Sequence, residues 1–163
     1  MKIEIKNVKH SEFASQETHC FEASVYLDGK KVADTGNDGH GGCDNTYFVN
    51  DAAQKAVNDY IASLPKHVCS FTDPNTGEPA ILDESLDMIV GELVNEFLLK
   101  RDMKRDLSKR VLFTVANGEV HQSRTLKAAQ RDALLANIPA AWEAVSILNL
   151  LPTNEALAIY KTI

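Results

Sequence analysis

The chain has 163 residues, a length typical of one globular domain, with 44% hydrophobic and 25% charged residues. Its 17 basic and 23 acidic residues give a formal charge of −6, which argues against a nucleic-acid binder that is basic over its whole surface. A chain of this length can bury a core without a disulfide or a structural metal, and its composition argues against long disordered segments.

The cysteines and the first residues indicate the compartment. Cys20, Cys43 and Cys69 are odd in number and widely spaced, which is typical of reduced thiols and not of a disulfide framework. Residues 1–6 alternate between charged and apolar side chains, unlike a signal peptide, and no run of about 18 apolar residues occurs. We therefore expect a cytoplasmic protein that does not associate with membranes.

The first predicted elements are strands of an antiparallel sheet. Alternation of apolar and polar side chains with a period of two predicts strands over residues 2–8, 20–27 and 30–35. Asp28-Gly29 accepts the positive φ angles of a type I′ turn and therefore joins the last two strands as a hairpin. A two-residue turn at this point places Val25 opposite Val32 across the ladder.

A short strand and a helix follow this hairpin. Residues 46–49 are a strand candidate, and apolar residues at helical spacing predict a helix over 51–64. Asn50 is suited to cap this helix and Pro65 to end it. The segment 72–79 holds two prolines and one glycine and is predicted as a turn-rich loop, within a longer loop at 65–82.

The second half is predicted to be mainly helical. A long helix over residues 83–105 is followed by strands at 111–116 and 119–123, a helix that begins at Thr125, and a terminal helix from about residue 153 to 160. Asn117-Gly118 is a second type I′ signal and places His121 opposite Thr114. Pro139 ends the third helix, and we expect Trp142 in the core. Residues 145–151 fit either a strand or a buried helical turn.

These elements predict an α+β fold. Strands grouped at the front of the chain and helices behind them favour an N-terminal antiparallel sheet with hairpins packed against a long central helix, followed by a second hairpin and short C-terminal helices. We expect one domain over residues 1–163, since the loop at 65–82 is the only candidate boundary and each half is very small.

The glycine-rich segment 36–45 is the first candidate site. It holds four glycines and four Asn or Asp residues, and the bare backbone of such a loop can direct amides at an anion. The candidate ligand-binding residues are Gly39, His40, Gly41, Gly42 and Cys43. The segment matches neither the Rossmann nor the Walker pattern, so a tight connection between strands is the competing interpretation.

His40 and Cys43 allow two further hypotheses. Their spacing of three is half of a zinc site, but the other His and Cys residues complete no standard pairing. Cys43 as a nucleophile with His40 as its base matches no known cysteine-hydrolase signature. We therefore expect no metal, no cofactor and no catalytic residue here, and an exposed thiol at Cys43.

The basic segment 100–110 is the second candidate site. It carries six basic and two acidic residues, a charge of +4 that leaves −10 for the remainder of the chain. The candidate partner-binding residues are Lys100, Arg101, Lys104, Arg105, Lys109 and Arg110. They can hold phosphates or the carboxylates of a protein partner. The alternative is a solvated helix end, where the helix dipole favours cations.

Three segments carry a resemblance to known proteins. The strand at 3–7, the hairpin at 26–33 and the Gly-His-Gly-Gly loop at 37–42 resemble uncharacterised small proteins of bacterial viruses, prophages and plasmids. The similarity covers roughly the first 50 residues, with looser support from residues 111–113. No activity is assigned to that group, so the resemblance implies no catalytic residue. It implies a bacterial host cell and an accessory role on a mobile element.

Two functions follow from these observations. The first is a non-enzymatic interaction protein that binds a host protein or a nucleoprotein, including a component of host defence. Nucleic acid is a further candidate partner of the basic segment. The alternative is an enzyme or receptor for a small ligand, nucleotide or metal, in which the loop at 36–45 holds the ligand and His40 supplies acid–base chemistry.

Overall fold

The computed structural model describes residues 1–163. The strands are β1 (Ile3–Ser11), β2 (Cys20–Leu27), β3 (Lys30–Asn37), β4 (Asn45–Phe48), β5 (His67–Thr72), β6 (Pro79–Leu82), β7 (Leu112–Thr114), β8 (Val120–Gln122) and β9 (Ser146–Ile147). The α-helices are α1 (Asp51–Ala62), α2 (Leu86–Lys109), α3 (Ala128–Ala136) and α4 (Thr153–Tyr160), and short 3-10 helices cover Ala140–Trp142 and Leu148–Leu150. The predicted α+β class is confirmed.

The chain divides into two compact units, Met1–Asn95 and Glu96–Ile163. Helix α2 begins in the first unit and ends in the second. The single-domain organisation expected from the sequence stays a prediction, and each unit is described by itself.

The first unit is built on a four-stranded antiparallel sheet in the order β1-β2-β3-β4. Alternate residues of β2 are buried as the period of two predicts: Phe21, Ala23, Val25 and Leu27. Helix α1 packs against β3 and β4, and its Val57 is fully buried. Burial of such a side chain contributes about 1.5–3 kcal/mol. The sequence pattern therefore identified the inner face of this sheet.

The first hairpin has the predicted turn but a different register. Asp28 and Gly29 have φ angles of 48° and 80°, as a type I′ turn requires. Val25 lies opposite Ala33, so the predicted pair with Val32 is wrong. A β-bulge inserts Val32 as an extra residue, and Val32 and Ala33 are both buried. The bulge lets two consecutive side chains of one strand enter the core.

The segment predicted as a loop at 65–82 contains a hairpin. Strands β5 and β6 pair antiparallel, and only residues 73–78 form the connection. Pro79 suggested irregular structure, but a proline is tolerated at the first residue of a strand. The cross-strand pair Val68 and Ile81 is more than half exposed. The turn-rich loop predicted at 72–79 therefore matches the connection of this hairpin, whereas the wider loop predicted at 65–82 is wrong.

Two helix boundaries follow local capping. Asn50 caps α1 as predicted, since its side chain accepts a hydrogen bond of 2.8 Å from the Ala53 amide. Helix α2 begins three residues later than predicted, because Ser85 accepts from the Met88 amide and acts as the cap. It ends at Lys109, four residues beyond the prediction, because no proline or glycine interrupts the basic segment.

The second unit has its own core and a three-stranded sheet in the order β8-β7-β9. Its core residues come from four segments of the chain and are Met103, Leu112, Leu148, Ala156 and Leu157. Residues 145–151 contain both predicted alternatives, a two-residue strand followed by a 3-10 helix. The terminal helix is confirmed as α4.

The second hairpin differs from the prediction in turn type and register. The Gly118 amide donates to the Val115 carbonyl, and within the turn only Gly118 has a positive φ, of 85°. This geometry is a type I turn followed by a left-handed glycine, which makes a three-residue loop instead of a type I′ turn. The longer loop places His121 opposite Phe113, so the predicted pair with Thr114 is wrong.

Two further expectations for the second unit are corrected. Thr125 does not cap the third helix, which begins at Ala128 after Lys127, whose amide donates to the Gln130 side chain. Trp142 is half-buried and not a full core residue. Its ring stacks on Phe113 at a centroid distance of 4.5 Å, so one face of the indole packs against another aromatic ring.

Candidate binding surfaces

The glycine-rich loop is shorter than the sequence predicts. The flanking strands extend into the segment 36–45 and leave residues 38–44 as the irregular part. Gly39 has a φ of 89°, and a Cβ at this position would lie 2.1 Å from the Ala14 carbonyl oxygen. Its own carbonyl accepts a hydrogen bond of 2.9 Å from the Gln16 amide. Gly39 is therefore required by close backbone packing.

The buried side chain of Asn37 forms hydrogen bonds with both ends of the loop. This residue is 7% exposed, and its side-chain oxygen accepts from the Thr18 hydroxyl at 2.7 Å and from the Gly39 amide at 2.9 Å. Its side-chain nitrogen donates to the Gly42 carbonyl at 3.3 Å and to the Asp44 carboxylate at 3.1 Å. One buried amide thus holds both ends of the loop, as full satisfaction of a buried polar group requires.

Most backbone amides of the loop donate within the protein. Four amides donate to side-chain oxygens: the Gly39 amide to Asn37, the His40 amide to Asp38, the Gly41 amide to Thr18 and the Asp44 amide to Asp87. The remaining amides of residues 38–44 are those of Asp38, Gly42 and Cys43, and His40 and Cys43 are exposed residues. A phosphate cradle needs several converging free amides. The loop geometry therefore favours a structural connection over an anion site.

A cleft of about 590 Å³ adjoins this loop within the first unit. It is lined by Ser15, Gln16, Glu17, Thr18, His19, Phe21, Asn37, Gly42, Cys43, Asp44, Asp87, Met88, Gly91, Val94 and Asn95. Of the five predicted ligand residues, only Gly42 and Cys43 line it; Gly39, His40 and Gly41 do not. No lysine or arginine lines the cleft, so it offers a negative and partly apolar surface.

The Asp44 carboxyl lines this cleft and has a raised pKa. Partial burial raises its pKa above the usual value, and the negative charge of Asp87 adds to this effect. The hydrogen bond from Asn37 acts in the opposite direction. Neither Asp44 nor Asp87 has a cationic group within 4 Å to offset the repulsion.

The His and Cys residues do not converge on a metal. No group of three His, Cys, Asp or Glu side chains is placed to hold an ion. The Nε2 atom of His19 forms a hydrogen bond of 2.8 Å with the side-chain oxygen of Asn95, and the Nδ1 atom of His67 lies 3.3 Å from the Glu84 carboxylate. Cys69 is buried and Cys43 is exposed, and all three cysteines are free thiols.

The basic end of α2 is partly neutralised by neighbouring acids. Lys100 pairs with Glu96, Arg101 and Arg105 pair with Asp102, and Arg110 pairs with Asp106. Lys104 and Lys109 are exposed and take part in no ion pair. The predicted partner-binding residues therefore keep two uncompensated cations on the surface of the helix.

Three basic residues from a later segment join the end of α2, and sequence reasoning missed them. The Leu126 amide donates to the Lys109 carbonyl at 2.8 Å, and Arg131 donates to the Ser108 carbonyl at 2.6 Å. These bonds bring the segment 124–131 to the helix end. We call the combined set the basic surface: Lys100, Arg101, Lys104, Arg105, Lys109, Arg110, Arg124, Lys127 and Arg131. No local sequence pattern signals this association.

The two units carry opposite charge. The first unit holds seven basic and 16 acidic residues, a net charge of −9. The second holds ten basic and seven acidic residues, a net charge of +3. The overall charge of −6 is therefore the sum of an acidic first unit and a basic second unit. Charge asymmetry of this kind is a feature of chains that recognise charged partners.

Comparisons with known proteins identify no relative of this chain. It matches no protein-family model, no curated protein and no solved structure. None of its helices combines the length and the apolar composition that a bilayer-spanning segment requires.

Proposed function

We propose that this protein is a non-enzymatic interaction protein of a bacterial virus or another mobile element, and that it binds a host protein or nucleoprotein through the basic surface. The host setting follows from the resemblance of its first 50 residues to proteins of that origin. Interference with host defence is one role that such binding serves, in the cytoplasm of the bacterial host.

The observation that carries this proposal is the group of exposed cations without acidic partners. Lys104 and Lys109 on α2 and the neighbouring Arg124 and Lys127 are all exposed and form no ion pair. Unpaired surface cations within one basic unit attract an anionic partner and speed its association. A merely solvated helix end needs no contribution from residues outside the helix.

The hydrogen bonds of the glycine-rich loop support a binding role over an enzymatic one. Four of its amides are satisfied inside the protein, and Asn37 holds both of its ends. His40 and Cys43 lie in this loop, but only Cys43 lines the adjoining cleft. The pair therefore lacks the shared site that a base and a nucleophile need.

The test is affinity capture from a bacterial lysate with the full-length protein as bait. The Lys104→Glu/Lys109→Glu variant removes the two unpaired cations of α2 without breaking an ion pair. The matched control, Lys6→Glu/Lys30→Glu, makes the same charge change on exposed residues of the first unit that also form no ion pair. We expect capture of a discrete partner by the wild type and the control, and its loss in the α2 variant.

Circular dichroism confirms that both variants are folded. Equal recovery of the partner by the wild type and the α2 variant would show that these cations do not bind the partner. Loss of partner recovery in the control variant alone would place the binding site in the first unit.

One observation favours a second candidate, a small-ligand receptor. Gly42 and Cys43 line the cleft of about 590 Å³, which is large enough for a nucleotide-sized molecule. A thermal-shift screen with nucleotides and divalent metals tests this function. A ligand at about 100 times its dissociation constant stabilises the fold by about 2.7 kcal/mol. Absence of any shift rejects this candidate.

A further inference from the structure

We propose that the second unit binds single-stranded nucleic acid, with Lys109, Arg124 and Lys127 contacting phosphates and the ring of His121 stacking on a base. This inference rests on the proposed function, because it names the class of partner that the same basic surface receives.

The three phosphate-binding cations come from two chain segments that hydrogen bonds hold together. The Leu126 amide donates to the carbonyl of Lys109 at 2.8 Å, which places Lys127 next to the helix end. The Ser123 amide donates to the Val111 carbonyl at 2.9 Å, and Arg124 follows directly. Exposed Lys and Arg side chains with no acidic partner are the groups that contact phosphates in nucleic-acid complexes.

The carbonyl end of α2 is covered, so it does not repel a phosphate. The last carbonyls of a helix are normally unpaired and carry partial negative charge. Here each of the last four accepts a protein donor: Asp106 from the Arg110 amide, Leu107 from the Asn149 side chain, Ser108 from Arg131 and Lys109 from the Leu126 amide. The negative pole of the helix is therefore neutralised while the Lys109 ammonium group stays exposed.

An aromatic stack supplies a platform for a base. The buried ring of Phe113 stacks on Trp142 at 4.5 Å and on His121 at 5.7 Å, with interplanar angles of 11° and 24°. The side chain of His121 is 49% exposed, with its Nε2 3.6 Å from the Glu119 carboxylate, so this ring reaches the surface beside one acid. Bases of single strands stack on exposed aromatic rings, and histidine is among the residues used.

The edge segment that begins with β8 carries both the ring and one of the cations. His121 lies on this strand, and Arg124 follows two residues after Gln122, where the strand ends. Arg124 is three residues beyond His121, which corresponds to roughly 10 Å of extended chain. That span fits within a short single-strand site, which commonly covers about 4–16 nucleotides.

A single strand fits these features better than a duplex or an acidic protein segment. The bases of a duplex are stacked on one another and are not available to the ring of His121. An acidic protein segment pairs with the cations but gives no role to the aromatic stack.

The test is fluorescence anisotropy of the full-length protein with labelled single-stranded DNA and RNA of about 12 nucleotides. Three phosphate contacts predict that log K falls with log salt with a slope of roughly −2. The Lys109→Gln/Arg124→Gln/Lys127→Gln variant is expected to lose at least about tenfold in affinity and most of this slope. The control, Lys30→Gln/Lys55→Gln/Lys66→Gln, makes the same charge change in the first unit and is expected to bind normally.

The role of the ring is tested separately. His121→Ala is expected to weaken binding by about fivefold or more with an unchanged salt slope, because stacking and not charge is lost. His121→Phe keeps the stack and is expected to retain affinity. His40→Ala removes an exposed histidine of the first unit and serves as the control.

Three outcomes overturn this inference: no binding of either oligonucleotide at low salt, equal losses in the triple variant and its control, or equal binding by His121→Ala and wild type. If capture of the host partner needs Lys104 and Lys109 but survives nuclease treatment, the nucleic-acid inference fails and the proposed function stands. Oligonucleotide binding without any captured host partner gives the reverse result.

Discussion

Asp44 and Asp87 are joined by a hydrogen bond of 3.2 Å from the backbone amide of Asp44 to the carboxylate of Asp87. This hydrogen bond fixes the loop that follows β3 to the first turn of α2 within the first unit. It also places two negative charges close to each other. Partial burial and the charge of Asp87 raise the pKa of Asp44, and no cation lies within 4 Å of either carboxylate.

The first prediction concerns the pH dependence of this pair. Because the pKa of Asp44 is higher in the folded chain than in the unfolded chain, the native state holds the extra proton just above the usual value of 3.8. Stability due to this group therefore falls as pH rises through that window. We expect Asp44→Asn to stabilise the protein at pH 7 by less than about 1 kcal/mol, since a half-exposed charge is screened.

Thermal melts at pH 7 and near pH 3 measure this effect. The gain from Asp44→Asn is expected to vanish at the lower pH, where the Asp44 carboxyl is protonated and is therefore uncharged like the asparagine. The exposed Glu12→Gln is the control and is expected to change little at either pH. A destabilised Asp44→Asn at pH 7 contradicts the assignment.

The second prediction separates backbone strain from steric clash in the loop. Gly39 and Gly42 have nearly equal φ angles of 89° and 86°, but only Gly39 faces a backbone atom where a Cβ would stand. Gly42→Ala is expected to cost about 1–2 kcal/mol from the left-handed backbone alone. Gly39→Ala is expected to cost about 3 kcal/mol or more, because the Ala14 carbonyl must also move. Urea denaturation of both variants gives the comparison, and equal losses contradict it.

The third prediction tests Asn37 as the organiser of the loop. Asn37→Ala removes four hydrogen bonds and leaves the buried Gly39 amide without its acceptor. We expect a loss of about 2–4 kcal/mol in the free energy of unfolding. The exposed Asn75→Ala is the control, with an expected change within about 0.5 kcal/mol. A change at Asn37 no larger than at Asn75 contradicts the role assigned to it.

The fourth prediction concerns Tyr160 in the second unit. Burial and the hydrogen bond from its hydroxyl to Asp106, 2.6 Å long, raise the pKa of Tyr160 to about 12. Because the folded pKa lies above the unfolded value, this contribution to stability is complete below pH 10 and is lost as pH rises toward 12. Ultraviolet titration of the tyrosines measures it.

The matching variant is Tyr160→Phe. It removes the bond to Asp106 and is expected to destabilise the second unit by about 1–2 kcal/mol at neutral pH. Tyr47→Phe, at a residue that is 74% exposed, is expected to be neutral. Titration of all four tyrosines near pH 10 contradicts the prediction.

The turn of the first hairpin was predictable, but its register and the turn type of the second hairpin were not. Asp28 and Gly29 determine their own turn because both accept positive φ, whereas no local signal marks the bulge at Val32. An Asn-Gly pair is also compatible with a type I turn and a left-handed glycine, and the sequence alone does not distinguish the two. The stack of Phe113 between His121 and Trp142, which accompanies the observed register, involves residues far apart in the chain.

The candidate surfaces were predictable to a similar extent. The six basic residues of 100–110 are visible as a local charge run, and the structure keeps Lys104 and Lys109 unpaired on α2. Arg124 and Lys127 join them only through the hydrogen bond between Leu126 and Lys109, which no local pattern encodes. The position of His40 outside the cleft is likewise not signalled by any local pattern.

Photo-cross-linking in a bacterial lysate tests the central claim most directly, because it reports which surface a partner touches whatever the identity of that partner. A light-activated residue is placed at Lys104 on the basic surface in one variant and at Cys43 beside the cleft in another. We expect a discrete cross-linked product from position 104 and none from position 43. A product from position 43 alone contradicts it and assigns recognition to the glycine-rich loop.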